Sequence, residues 1–154
     1  MIESPTIVQI AARPTAFIHV TTPRDRIQEV MGPGIQELIS TVKGQGIAIV
    51  GPWFTHHLKM EPGMFDFEIS VPVASPIAAS GRVHPGEWPA MRVARAVHHG
   101  GYEGLAAAWP ELKAWVGANG HQAAPDIYEC YLVGPESGPD PSTYRTELNQ
   151  PLLD

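Results

Sequence analysis

The sequence has a single cysteine, Cys130, and few positive charges. One cysteine cannot supply an internal disulfide framework, so we expect a reducing, cytoplasmic location. Only 10 lysine and arginine residues stand against 16 aspartates and glutamates, and the basic residues are scattered. Because nucleic-acid binding needs a concentrated basic surface, we expect no direct nucleic-acid binding by this chain.

Long apolar runs are also absent from the sequence. No stretch reaches the roughly 20 apolar residues of a membrane helix, and the start, MIESPTIVQ, lacks the features of a signal peptide. We therefore expect no membrane partner. The 154 residues suffice for one domain with its own core, and the net charge of -6 favours small cations near the surface.

Proline and glycine are frequent, with 16 and 15 residues spread along the chain, which predicts short elements joined by tight turns. Gly32-Pro33-Gly34 interrupts a helical turn at 24–31, and this hinge-like composition predicts that 24–34 moves as a lid. The other elements predicted for the first half are an extended segment at 6–21 with a bend at Arg13-Pro14, a helix from Pro33 to Gly44 or Gly46, strands at 47–59 and 65–73, and a type II turn at Glu61 to Met64.

The second half repeats this order of elements. A strand at 91–99 precedes a helix, which Pro110 should kink or split and which should end at Gly117 to Gly120. Strands follow at 126–133 and 144–152. We predict a single α+β domain over 1–154, with pseudo-repeats at about 5–75 and 76–154. Its duplicated strand–helix–strand–strand units form antiparallel sheet, with a ligand cleft between the two halves on the faces opposite the helices.

Several motifs, in the same order along nearly the whole chain, resemble those of GyrI-like proteins, the effector-binding domains of bacterial multidrug-responsive and AraC-type regulators. They are Gly51-Pro52-Trp53-Phe54 before a histidine pair, Phe65-Asp66-Phe67-Glu68 leading to Val71-Pro72-Val73, the stretch from Val97 to Leu105, Trp115 with Gly120, Tyr128-Glu129-Cys130-Tyr131-Leu132, and the tail from Pro141 to Leu152. The resemblance implies the duplicated fold and a pocket with aromatic walls around Glu129.

The sequence departs from the family pattern at two positions. Tyr128 stands where the family often has tryptophan, and His57 stands where it often has a pocket tyrosine. A titratable histidine changes the ligand preference that the resemblance would imply. Many relatives also carry a helix-turn-helix domain, for which this chain leaves no room. We expect a regulator role to need a partner or a longer parent protein.

Glu129 is the centre of the predicted site. Strand alternation puts Ile127, Glu129 and Tyr131 on one face, and Cys130 on the other as a small buried residue. A carboxylate among apolar side chains needs a hydrogen bond, a proton or a cation, and aromatic faces would add to the attraction for a cation. An exposed glutamate on an edge strand is the alternative that the residues alone leave open.

Aromatic and polar side chains are predicted to complete the pocket. Tyr102 and Tyr131 suit a wall because their tips are polar, whereas Trp109 and Phe54 fit core packing better. The other candidates are Trp53, His57 and Glu68, and for Glu68 we favour a solvated position. Neighbouring histidines on a strand point to opposite faces, so His56-His57 and His98-His99 predict no metal site. We expect no cofactor.

Two functions from different classes stay open. The first is a binding module for a small aromatic, cationic or electrophilic, drug-like molecule, which it senses or sequesters. The second is a hydrolase that opens strained cyclopropane rings of DNA-alkylating natural products, as some GyrI-like proteins do. There Glu129 would activate water, and Tyr102 or Tyr131 would hydrogen-bond the developing phenolate. A homodimer is left open.

Overall fold

A computed structural model describes residues 2–61, 63–134, 138 and 140–153. The chain divides into two compact units, the middle unit (Ala11–Ala90) and the terminal unit (Met1–Ile10 with Met91–Asp154). The elements are β1 (Thr6–Ile10), β2 (Arg13–Pro23), α1 (Ile27–Gly44), β3 (Phe54–Glu61), β4 (Met64–Pro72), β5 (His84–Trp88), β6 (Met91–His99), α2 (Leu105–Ala118), β7 (Ile127–Val133) and β8 (Arg145–Pro151).

The middle unit pairs its strands in the order β3-β4-β2-β5, and each pair is antiparallel. Alternate residues of β4 explain which face is buried, because Phe67, Ile69 and Val71 all belong to the core cluster. Leu38 and Val42 of α1 belong to the same cluster, so α1 covers this face of the sheet. The strand predicted at 65–73 therefore corresponds to β4, with its apolar residues turned towards α1.

The predicted break at Gly32-Pro33-Gly34 is wrong, because α1 runs without interruption from Ile27 to Gly44. Pro33 lacks the N–H that would bond the carbonyl four residues earlier, which destabilises the helix. Close packing at Gly34 offsets this loss of stability. A Cβ at this position would lie only 2.7 Å from Cδ1 of Ile69, so the missing side chain makes room for the isoleucine. The backbone of α1 can thus approach the sheet closely. The segment 24–34 predicted as a lid consists of a 3₁₀ turn (Arg24–Arg26) and the first residues of this helix.

Two further predictions for the first half need correction, and one strand was not predicted. The extended segment is interrupted at Ala11-Ala12, two residues before the predicted bend at Arg13-Pro14, and Pro14 lies inside β2. The strand predicted at 47–59 begins only at Phe54, because the residues before it are irregular apart from a bridge between Ile49 and Val73. Strand β5 was missed, since His84-Pro85-Gly86 hides its alternation. In the predicted type II turn, Gly63 has a φ of 81°, and Pro62 lies outside the described residues.

The terminal unit pairs its strands in the order β1-β6-β8-β7, again antiparallel. The small residues Ala94 and Ala96 of β6 share a core cluster with Leu112 and Val116 of α2, so the helix packs closely on this sheet. Helix α2 is not split at Pro110. It ends at Ala118, and Gly120 follows with a φ of 78°, near the predicted position.

The two units repeat one arrangement, as the sequence predicts. A strand, a helix and two strands follow each other as β2-α1-β3-β4 and as β6-α2-β7-β8. The strands pair as β3-β4-β2 in one unit and as β7-β8-β6 in the other. One further strand flanks each set, β5 beside β2 and β1 beside β6. The fold is therefore α+β with duplicated strand–helix–strand–strand units and antiparallel sheet.

Candidate functional site

Glu129 lies in the middle of β7 on the face that α2 covers. It pairs with Leu148 of β8, and Ile127 on the same face is buried in the core cluster together with Trp109. We predicted that the ligand-binding face would be opposite the helices, and for Glu129 this is wrong. The reason is that the residue shares its face with Ile127, whose burial requires the cover of α2.

The carboxylate of Glu129 accepts hydrogen bonds from two aromatic side chains. The indole Nε1 of Trp109 donates to Oε2 at 2.6 Å, and the hydroxyl of Tyr131 donates to Oε1 at 2.7 Å. Glu129 is only 8% exposed, so the alternative of a solvated edge-strand glutamate is excluded. Hydrogen bonds to a carboxylate are short and strong, and these two stabilise its charge without neutralising it.

Two further tyrosines extend this cluster. The ring of Tyr102 stands edge-on to Tyr131, with 5.7 Å between the centroids, and lies 5.4 Å from the ring of Tyr144. Tyr102 begins a 3₁₀ turn (Tyr102–Gly104) that leads directly into α2. Sequence reasoning missed Tyr144 as a member, although it lies in the tail motif that carried the family resemblance. Tyr102, Trp109, Glu129 and Tyr131 are thus brought together.

The other candidate residues belong to the middle unit. His57 is buried and stacks on Phe67, with 5.2 Å between the ring centroids. Phe54 packs against Trp88 at 4.9 Å, and Trp53 is partly buried against the core of this unit. The contact of Phe54 with Trp88 therefore agrees with its predicted role in core packing.

Glu68 is partly buried, and its predicted solvated position is inexact because it has a polar neighbour. Nδ1 of His56 lies 3.3 Å from Oε1 of Glu68, across the β3–β4 pair. Similar pairs join His19 to Asp66 and His99 to Glu3, each at 2.5 Å. In the part of the chain that the structure describes, no three histidine, cysteine or acidic side chains are grouped to hold a metal ion.

Cys130 points away from Glu129 and is buried, as predicted, with its Sγ 3.7 Å from Nδ2 of Asn149.

A shallow cavity of about 220 Å³ in the terminal unit lies apart from Glu129, between the N-terminal segment and the outer side of α2. Its lining residues are Ile2, Glu3, Ser4, Pro5, Glu111 and Trp115. Over the described residues, no helix is long and apolar enough to cross a membrane.

A duplicated α+β fold with a buried carboxylate between aromatic side chains is suited to hold a small molecule. The chain belongs to the GyrI-like small-molecule-binding domain family, whose model matches residues 3–153. The resemblance noted in the sequence is thereby confirmed. No protein of curated function matches the chain at a significant level.

Solved structures share this fold at low sequence identity. The C-terminal domain of EcmrR has a TM-score of 0.87 at 20% identity, with 98% of each chain covered. In an EcmrR–DNA complex, the TM-score is 0.86 at 21% identity; the match covers 97% of this chain but only 57% of that one. A hydrolase from Listeria innocua has a TM-score of 0.70 at 12% identity, with 96% and 91% covered. SAV2435 bound to tetraphenylphosphonium has a TM-score of 0.64 at 12% identity, with 97% and 94% covered.

Proposed function

We propose that this GyrI-like domain binds a small aromatic cation at Glu129, with a role in multidrug sensing or sequestration. The observation that carries the proposal is the buried carboxylate between Trp109 and Tyr131. Both donors are neutral, so these two hydrogen bonds hold the carboxylate in place without neutralising its negative charge. Burial strengthens the attraction of this charge for a cation, because the local dielectric constant is lower than that of water.

The surrounding rings support the choice of an aromatic cation. A cation within about 6 Å of a tyrosine or tryptophan ring is attracted by its π face. The ring of Tyr102 contacts those of Tyr131 and Tyr144, and the Tyr131 hydroxyl bonds the carboxylate. The structural neighbour SAV2435 was solved with tetraphenylphosphonium, a lipophilic aromatic cation. EcmrR occurs in a complex with DNA, which supports the sensing role.

Calorimetry with tetraphenylphosphonium tests the proposal. The wild-type chain should bind the cation saturably, and Glu129→Gln should weaken binding at least tenfold, because the amide keeps the shape and loses the charge. Glu87→Gln is the matched control, since Glu87 is exposed in the middle unit and the substitution removes the same charge. Equal affinities of wild type and Glu129→Gln would contradict the proposal.

A hydrolase is the second candidate, and the contact between Glu129 and the Tyr131 hydroxyl favours it. Glu129 would take a proton from water, whose oxygen bonds to a ring carbon of an electrophilic cyclopropane. The strained C–C bond breaks, and its electron pair passes to the conjugated carbonyl, which becomes a phenolate and then takes a proton. The Listeria innocua hydrolase has the same fold. Saturable binding of such compounds without product formation would eliminate this candidate.

A further inference from the structure

A row of three polar side chains crosses the sheet of the terminal unit next to Glu129. The antiparallel register pairs Thr146 of β8 with His98 of β6 on one side and with Tyr131 of β7 on the other. Paired residues share a face, so the three side chains line up beneath the start of α2. Neighbouring strands are about 4.8 Å apart, so the row is about 10 Å long. At its end, the Tyr131 hydroxyl bonds Glu129.

Two atoms in this row are buried without a hydrogen bond. Thr146 is 0% exposed and His98 is 2% exposed. Within the described residues, neither Oγ1 of Thr146 nor Nδ1 of His98 has a hydrogen-bond partner. Native proteins leave few such groups, because each one destabilises the fold. A buried hydroxyl and a buried imidazole nitrogen on adjacent strands therefore call for a functional explanation.

The contact of the other imidazole nitrogen fixes what this pair can bind. Nε2 of His98 lies 3.1 Å from the carbonyl oxygen of Gly101, which can only accept. Nε2 therefore carries the hydrogen, and Nδ1 of the neutral ring is an acceptor. Thr146 offers an O–H donor. A group that accepts from Thr146 and donates to His98 satisfies both atoms at once, and a hydroxyl does this.

The 3₁₀ turn Tyr102–Gly104 covers the row. A Cβ at Gly104 would lie 2.7 Å from Cε1 of His98, so only glycine lets the turn sit on the imidazole ring. Gly100, with a φ of 118°, precedes the turn. Because Thr146 and His98 are buried beneath it, a ligand group would reach them only with a displacement of this turn, in which Tyr102 contacts Tyr131.

We propose that Thr146 and His98 form a second subsite of the Glu129 site, which recognises a hydroxyl group on the aromatic body of the cation. The inference rests on the proposed function. Glu129 pairs with Leu148, so Thr146 is its diagonal neighbour on the adjacent strand, at about 7 Å. In a hydroxyphenyl-substituted phosphonium, the para hydroxyl is one ring away from the charged phosphorus, which is a comparable span.

The test compares two probes, tetraphenylphosphonium and (4-hydroxyphenyl)triphenylphosphonium, by calorimetry. The wild type should bind the hydroxylated probe about tenfold more tightly, as expected for hydrogen bonds to buried partners. Thr146→Val replaces the hydroxyl by a methyl group of similar size, and the ratio of the two dissociation constants should fall to about one. His98→Gln keeps an N–H near the position of Nε2 and removes the Nδ1 acceptor, so it should lower the ratio as well.

Thr15→Val is the matched control, because Thr15 is also buried but lies in the middle unit, and it should leave the ratio unchanged. Thr146→Val should also raise the melting temperature of the free protein, since an unsatisfied hydroxyl is lost. If the wild type binds both probes equally, the subsite is refuted while the Glu129 proposal stands. A ratio that survives both Thr146→Val and His98→Gln also overturns the subsite. Binding of neither probe overturns both proposals.

Discussion

The indole N–H of Trp109 donates a hydrogen bond to Glu129 and thereby connects the middle of α2 to the middle of β7. Helix and sheet meet here through a carboxylate, in a region that is otherwise closed by apolar packing. A ligand that moves the carboxylate must therefore also change the position of α2 or break this bond. Binding at Glu129 and the placement of α2 are coupled by geometry.

Trp109→Phe should destabilise the protein by about 1–3 kcal/mol, because a buried carboxylate loses a donor. The phenyl ring retains much of the apolar contact. Urea denaturation measures the change in the free energy of unfolding. Trp115→Phe is the matched control, since Trp115 is only partly buried and its side chain is not bonded to Glu129. Equal losses of unfolding free energy in Trp109→Phe and Trp115→Phe would show that the smaller ring volume, and not the lost hydrogen bond, causes the destabilisation.

Tyr102→Leu should weaken tetraphenylphosphonium binding by about 0.5–2 kcal/mol, because the π face next to Tyr131 is removed. Tyr102→Phe keeps that face and should have the smaller effect. Calorimetry on both variants gives the comparison directly. Equal losses in Tyr102→Phe and Tyr102→Leu would instead assign the role of this residue to its hydroxyl group, which both variants lack.

Gly32 and Gly34 of α1 should respond oppositely to alanine. A Cβ at Gly32 meets no atom within 4 Å, so Gly32→Ala should stabilise the protein by about 0.5–1 kcal/mol through helix propensity. At Gly34 the new methyl group would lie 2.7 Å from Cδ1 of Ile69 and should cancel or reverse that gain. Thermal denaturation measures both effects. Ile69→Val removes the conflicting atom and should partly rescue Gly34→Ala; additive losses in the double variant would argue against the contact.

The ion pair between Glu37 and Arg82 should make a small, pH-dependent contribution to stability. The hydrogen bond from Arg82, at 2.8 Å, lowers the pKa of the Glu37 carboxyl below its ordinary value. A lowered pKa in the folded state means that the contribution is present above the unfolded pKa and is lost as the pH falls through the folded one. Both side chains are well exposed, so the contribution should stay below about 1 kcal/mol.

Urea denaturation of wild type and Glu37→Gln at pH 7 and at about pH 3 tests this contribution. The difference between the two proteins should shrink at the lower pH. Glu87→Gln, an exposed residue without this partner, should show a smaller difference at neutral pH. A difference that grows on acidification would contradict the assigned sign.

Regular alternation and the order of elements were predictable from the sequence, whereas positions governed by tertiary packing were not. Strand β6 occupies the predicted residues 91–99, whereas the burial of Glu129 was left open by the residues alone and was implied only by the family resemblance. The path of α1 through Pro33 was not predictable, because it depends on the contact between Gly34 and Ile69 across the unit. The face of Glu129 was missed for the same reason, since periodicity assigns residues to a common face without saying which element covers it.

Thr146 and His98 illustrate a second limit of sequence reasoning. Both residues lie in motifs of the family resemblance, yet His98 was weighed only as a metal ligand and Thr146 was given no role. Their proximity depends on the register between β6 and β8, which brings together residues that are far apart in the chain. The absence of a partner for their inner atoms depends on the surrounding side chains. Neither the proximity of the two residues nor the lack of partners for these atoms can be predicted from the local sequence.

The edge strand β1 belongs to the terminal unit and pairs with β6, yet the whole middle unit is inserted between them in the chain. A ribosome therefore releases β1 long before its pairing partner exists, and the strand must wait, unpaired, while the middle unit folds. A break in the chain between the two halves would separate β1 from β6 in the same way. To reassemble, the first fragment, which carries β1, would then have to supply this strand to β6 of the second fragment.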